Sequence, residues 1–405
     1  MFEITEKKDS RPSNGRTIIK VIGVGGAGCN AVDHMVRESV QGVEFIAANT
    51  DAQALARCLA PVRIPLGSTG LGAGSKPEAG RAAAQESHDA IATALADAHM
   101  CFITGGMGGG TGTGAAPVVA EIARELGILC VAVVTKPFDF ENRMRVAESG
   151  IEELSRYVDS LIVVLNDKLL EAYGEDAIAE DCFRASDSVL CKAVGGISEI
   201  INAPGLVNVD FQDVRTAMGE MGRAMMGSAE AAGVDRARIA AEQAVGSPLL
   251  EGTELSGARC VLINITAAKA SLKLAEVKQA VKTVQAFAAS EAFVKYGIVY
   301  DDSMEDSLRV TVVATGLGTP RVAPVVERTP DIRIVGTGTH GLGGGYGSPA
   351  SIAGGGDIGT PAIIRTRRNM SATGRVEPAT RSGGGIGSGA TGTYDIPAFL
   401  RRQAD

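Results

Sequence analysis

The 405-residue chain carries 39 Lys and Arg against 47 Asp and Glu, a formal net charge of -8, with 45% hydrophobic residues and 52 glycines. That apolar fraction suits globular domains with full cores, and the acidic balance excludes a body that grips nucleic acid or an anionic membrane along its whole surface. The seven cysteines include no CxxC pair and read as reduced, buried thiols of a cytoplasmic protein; no signal peptide opens the chain and no apolar run is long enough to span a bilayer, so no membrane insertion is expected.

Residues 1–16 are polar and are expected to form a flexible N-terminus. Apolar runs then alternate with helix-like stretches, with strands predicted at Ile18–Val24, Val43–Ala48, Val62–Leu66, Met100–Thr104, Ile128–Thr135 and Ser160–Leu165. Such continuously apolar strands predict an α/β fold, a Rossmann-like parallel-sheet domain over 17–180 covered by helices on both faces. One of those helices is predicted from Pro77, well placed at a helix start, to Ala96.

The first strand runs into Gly23-Val-Gly25-Gly26-Ala-Gly28, a G-x-G-x-x-G turn, and Asp51 follows at roughly the distance of a ribose-binding acid. By itself this motif fits a nicotinamide-dependent oxidoreductase, or merely a tight packing turn. A further loop, Gly70-Leu-Gly72-Ala73-Gly74, is placed to cover the same ligand. The run Thr104-Gly105-Gly106-Met107-Gly108-Gly109-Gly110-Thr111-Gly112-Thr113-Gly114, between strand and helix, changes the balance. So many glycines are entropically costly unless backbone amides must approach a ligand closely, and bare amides at a helix N-terminus suit phosphate, with the hydroxyls of Thr111 and Thr113 adding donors. No Gly-Lys dipeptide occurs, which excludes a Walker A loop, and the four histidines have no Ser or Cys partner in a triad motif.

Residues 181–221 predict a long apolar helix over Asp181–Asn202, the loop Ala203–Val209 and another helix from Asp210. Asp210 and Asp213, at i and i+3, share a helix face, a pattern that ordinary N-capping also explains. A smaller α/β domain is predicted over 222–317, with strands at Cys260–Thr266, Phe293–Tyr300 and Leu308–Ala314 and a helix at Leu272–Phe287. Residues 318–393 are rich in Gly, Ser, Thr and Pro and locally basic, a disordered linker by composition. Apolar residues return in 394–405, the pattern of a docking peptide on a tether.

Gly105–Gly114 together with Ala115-Ala116-Pro117 resembles the signature loop of the FtsZ family, the bacterial tubulin-like division GTPases. The resemblance covers nearly all of 17–318 and the last twelve residues. It implies GTP/GDP with Mg²⁺ as cofactors and no metal centre built by the protein itself. It puts Gly25, Gly26, Gly28, Gly72, Ala73, Gly74, Gly108, Gly109, Gly110, Thr111, Gly112 and Thr113 around the phosphates. Asn30 and Asp187 are to read the guanine edge, Phe183 to pack on the base, Glu141 and Arg145 to touch ribose and phosphate, and Asn166 to open the next nucleotide loop. It further implies that Asn208, Asp210 and Asp213 reach the γ-phosphate of the next subunit in a head-to-tail filament at the division site. The tail Asp395-Ile-Pro397-Ala-Phe399-Leu400-Arg401 resembles the family's docking peptide for membrane-tethering division proteins. Against the family pattern, Ala27 replaces a glycine and the segment from Arg145 to Gly150 is about two residues short. Two other readings stand beside the polymerising GTPase: the oxidoreductase, and a nucleotide-binding assembly protein without turnover.

Overall fold

The computed structural model describes residues 17–173, 178–202, 205–207, 209–219, 222–247, 257–289 and 291–317. The predicted flexible N-terminus, Asn208, the linker and the docking peptide lie outside them. β1 (Ile19–Val24), β2 (Val43–Asn49), β3 (Val62–Pro65), β4 (Met100–Gly106), β5 (Leu129–Lys136) and β6 (Ser160–Leu165) run parallel in the order β3-β2-β1-β4-β5-β6. Both faces are covered, which is why these strands are apolar throughout rather than alternating. On one face, side chains such as Val21, Phe102 and Val131 pack with α1 (Gly25–Arg37) and the long α8 (Ala179–Asn202). On the other, Ile22, Ile103 and Ala132 pack with α3 (Pro77–Glu86), α4 (His88–Leu95), α5 (Thr111–Glu125) and α6 (Met144–Leu154). Short helices α2 (Ala52–Arg57) and α7 (Asn166–Tyr173) follow β2 and β6.

The single helix predicted from Pro77 to Ala96 is broken at Ser87. Its hydroxyl accepts the Gly67 amide at 3.0 Å and donates to the Pro65 carbonyl at 3.2 Å, so tertiary hydrogen bonds fix the break. Residues 222–317 continue the same sheet, so the second α/β unit is joined edge to edge with the first. The order beyond β6 is β8 (Gly222–Ala232), β11 (Ser307–Leu317), β9 (Cys260–Ala267), β10 (Phe293–Tyr300) and β7 (Gly205–Val207). The seam is short: Ser160, Leu161 and Ile162 of β6 pair with Gly222, Arg223 and Ala224 of β8. Helices α10 (Arg236–Val245) and α11 (Leu274–Phe287) close its own core with Val261, Ile263 and Val312. Neither β8 nor α10 is foreseen by the sequence reading. β8 reads GRAMMGSAEAA, poor in β-branched residues, and its pairing with β11 along nearly its whole length decides its conformation.

Helix α9 (Phe211–Met218) hangs at the amino-terminal end of the parallel strands. Ser160, the first residue of β6, donates its hydroxyl to the Met218 carbonyl at 2.8 Å. His99, just before β4, places its ring edge-on to Phe211 with centroids 6.2 Å apart. The glycine-rich run leaves the other end of β4, seven residues further on, or about 20 Å at strand spacing. No described helix is long and apolar enough to cross a membrane.

Candidate functional site: two bare helix ends and an aspartate-capped helix on opposite ends of the sheet

β1 and β4 are neighbours, Val24 standing opposite Gly105, and the chain order reverses between them, the place where ligands bind in open α/β sheets. The loop after each strand turns straight into a helix. α1 starts at Gly25 and α5 at Thr111; neither has a side-chain cap and neither carries an acid in its first turn. Their starts meet backbone to backbone. Gly25 has a left-handed φ of 76°, and a methyl there would lie 2.9 Å from the Gly112 amide nitrogen; one on Gly112 would lie 2.4 Å from the Gly106 oxygen. Two unsatisfied sets of N–H groups, each the positive end of a helix dipole, are thereby held side by side, an unfavourable arrangement that an anion relieves.

The third loop is tied to the same place. The Gly72 amide donates to the Thr50 carbonyl at 3.0 Å, Asp51 and Leu71 form an antiparallel bridge, and a methyl on Gly110 would press on Ala73 and Lys76 at 2.9 Å. The hydroxyls of Thr50 and Thr111 lie 2.6 Å apart. By contrast, a methyl on Gly26, Gly72 or Gly74 would touch nothing within 4 Å. Gly26 is exposed and neither packing nor backbone calls for glycine there, whereas Gly72 and Gly74 hold left-handed φ values of 85° and 57°. Gly28 is buried behind them, and Gly108 and Gly109 turn past Arg143. Thr113 is buried, with its methyl against Gly150 of α6. Its hydroxyl is buried and accepts the Gly108 amide at 2.9 Å, closing the loop on itself. Asp51 caps α2, its Oδ1 accepting the amides of Gln53 at 2.8 Å and Ala54 at 3.1 Å, so the carboxylate that suggested a ribose-binding acid is committed to the fold.

Beside the loops, Asn30 is exposed on α1 and Asp187 is half-buried on α8. Burial, and then the nearby Asp33 charge, push the Asp187 carboxyl up to about 6. Phe183, one turn earlier on α8 and 51% exposed, meets Phe138 edge-on at 5.4 Å, and Phe138 stacks on Phe140 at 5.4 Å. Asn166 opens a helix rather than a loop; it is buried and its Oδ1 accepts the Ser186 hydroxyl at 3.0 Å. Glu141 accepts the Phe138 amide at 2.9 Å through Oε1 and the Arg143 guanidinium through Oε2.

Arg145 lies exposed in the first turn of α6, whereas Arg143 lies against the signature loop: a methyl on Gly108 would come within 3.1 Å of its Cβ. The sequence reading missed Arg143. No sequence signal separates the two arginines; only the fold sets Arg143 against Gly108.

At the far end of the sheet, Asp210 caps α9, its Oδ1 accepting the Asp213 amide at 2.7 Å, and Asp213 Oδ2 pairs with Lys295 Nζ at 3.0 Å. The structure therefore does not bring the two aspartates to the glycine loops of their own subunit. Among the described residues no group of three His, Cys, Asp or Glu side chains is placed to hold a metal ion.

A Rossmann-ordered sheet whose phosphate cradle is made of several glycine turns without a Walker lysine defines the tubulin-like class of GTPases. Residues 18–174 match the model of the Tubulin/FtsZ family GTPase domain, and residues 222–318 that of the FtsZ family C-terminal domain. The chain belongs to the FtsZ family. The cell division protein FtsZ of Pseudomonas putida is 47% identical over 418 residues, covering 100% of both chains, and that of Neisseria meningitidis serogroup A is 55% identical over 306 residues, covering 74% of this chain and 78% of its own. An empty FtsZ dimer from M. jannaschii superposes with a TM-score of 0.71 at 41% identity, covering 75% of this chain and 88% of that one. The protein is accordingly a cell-division GTPase, and neither the oxidoreductase nor the reading without turnover finds support.

Proposed function

We propose that the chain binds GTP in the cradle between α1 and α5 and hydrolyses it only when a second copy brings its α9 to the γ-phosphate. The observation that carries this reading is the separation of the two halves of the site, glycine loops at the carboxyl end of β4 and Asp210 and Asp213 at the amino end. A subunit cannot fold one onto the other. Stacked head to tail, however, each subunit's underside meets the next one's cradle, a heterologous contact that does not close on itself and so builds a filament. The dimeric state of the similar M. jannaschii protein is in keeping with this.

In the cradle, amides of Gly25, Gly26, Gly28 and of Gly108 to Gly112, with the Thr111 hydroxyl, hold the phosphates, covered by Gly72, Ala73 and Gly74. Arg143, oriented by Glu141, supplies the basic group on that side, replacing the role expected of Arg145. Asn30 and Asp187 read the guanine edge, Phe183 packs on the base and Asn166 steadies α8 through Ser186. Phosphoryl transfer depends mainly on positioning and charge stabilisation, and the glycine loops themselves offer no carboxylate or glutamine to place water; Asn208, Asp210 and Asp213 of the neighbour supply that. The donor set of amides and hydroxyls suits Mg²⁺ carried on phosphate oxygens and water rather than in a protein cage, where it would neutralise charge on the departing phosphate. Residues 394–405 then dock membrane-tethering partners, which brings the filament to the division site.

Phosphate release measured against protein concentration tests this. Activity per subunit should rise with concentration and then saturate. A rate per subunit that is constant from the most dilute sample upward would contradict completion by a neighbour.

A further inference from the structure

Lys295 belongs to none of the glycine loops, yet it touches the helix assigned above to the neighbour's γ-phosphate. Its ammonium lies 3.0 Å from Asp213 Oδ2 and 5.2 Å over the centroid of the Phe293 ring. Lys295 and Phe293 both sit on β10, so one strand presents the cation and also the aromatic face that steadies it. The Lys295 and Asp213 side chains are 34% and 33% exposed, so the pair remains open to whatever approaches this end of the molecule.

We infer that Lys295 is a positioning residue for hydrolysis: it orients the Asp213 carboxylate and offsets the charge of Asp210 and Asp213 at the start of α9 when that end meets the triphosphate of another copy. The inference rests on the reading of a site completed between subunits. Two carboxylates, Asp210 and Asp213, must be carried up to a polyanion, and like charges brought together oppose association. An ammonium is suited to relieve this. It is a compact point charge, so it can stay on Asp213 while still offsetting the potential that the phosphates meet. A half-exposed ion pair adds little to stability, which leaves its placement beside Asp213 to be explained by the contact surface.

Lys295→Met, Lys295→Arg and Asp213→Ala in the full chain test the inference, with phosphate release from GTP and Mg²⁺ followed against protein concentration at low and high salt. Lys295→Met is expected to raise the concentration for half-maximal activity at low salt by about twofold to fivefold, the range that a partly exposed charge pair converts to. Added salt should close that gap, because screening weakens the repulsion that the lysine had offset. Lys295→Arg, which keeps the charge, should stay near the unsubstituted chain. A loss equal at every salt strength, or one shared by Lys295→Arg, would assign Lys295 to the fold alone and overturn the inference. No change in Lys295→Met while Asp213→Ala is inactive overturns it as well and leaves the two-subunit site standing. Full activity in Asp213→Ala would remove that site, and this inference with it.

Discussion

Asp187 is a carboxyl kept where its charge costs the fold. Burial and the Asp33 charge raise it to about 6 from an ordinary 3.8. The folded chain thus holds a proton that the unfolded chain has released, and this group's contribution to stability falls as pH rises from about 4 to about 6. Structure alone would favour Asn at this position; a guanine edge that donates two N–H bonds favours the ionised acid. Nucleotide affinity should therefore weaken as pH falls through about 6, relative to an Asp187→Asn variant measured in parallel, because the nucleotide's own titration is common to both. Parallel profiles for the two proteins would argue against Asp187 as the base-reading group. At this scale the sequence was informative about residue type and less so about partners. The roles proposed for Asp187, Phe183 and Glu141 come only through the resemblance, since each alone reads as an ordinary helix or surface side chain. Arg143 was not singled out because the resemblance pointed to Arg145, and only the fold shows Arg143 against Gly108. The surroundings of Thr113 were not readable, since a hydroxyl in a glycine loop says nothing of its burial, and here it is buried and accepts the Gly108 amide.

The glycine turns show at the level of elements why a motif is not yet a site. Gly112 and Gly26 both belong to glycine signatures, yet one is glycine for packing and the other is not. A methyl on Gly112 would strike the Gly106 oxygen at 2.4 Å, while one on Gly26 meets nothing within 4 Å. Gly112→Ala should therefore lower the stability of the nucleotide-free protein by about 2 kcal/mol or more, the cost of forcing backbone apart in a packed loop. Gly26→Ala lies within α1, where alanine is the better helix former by up to about 1 kcal/mol. Its melting temperature should hold or rise while its nucleotide affinity drops at least several-fold, because the methyl occupies the ligand's side of the turn. Thermal unfolding with and without GDP separates the two effects; if Gly26→Ala bound nucleotide normally, the cradle would have to lie elsewhere. The six parallel strands were readable because burial on both faces writes itself as uninterrupted apolar runs. β8 was not, since an Ala- and Gly-rich stretch takes its conformation from β11. Nor was the break at Ser87, which depends on hydrogen bonds to Pro65 and Gly67, twenty or more residues away.

Across the whole molecule, the sheet acts as a spacer. Its carboxyl end gathers the glycine turns proposed to hold phosphate, and its amino end, about 20 Å away along β4, carries α9 through the contacts of Phe211 with His99 and of Met218 with Ser160. No hinge in the described residues needs to move for two such ends to meet, provided that they belong to different copies. This predicts complementation between two inactive proteins. Asp213→Ala keeps its cradle and should bind GTP normally but release no phosphate. Gly26→Asp keeps α9 but places a carboxylate at the start of α1, where it takes the anion's place at the bare amides and repels the nucleotide. Each alone should be silent. In an equimolar mixture, the GTP-loaded cradle of the first meets the intact α9 of the second in about a quarter of randomly formed head-to-tail contacts, and phosphate release should reappear at up to about that fraction of the unsubstituted rate. A site contained in one subunit leaves the mixture as inactive as its parts, so persistent silence, with filaments or dimers demonstrated in the same sample, would place Asp213 outside the reaction between neighbours.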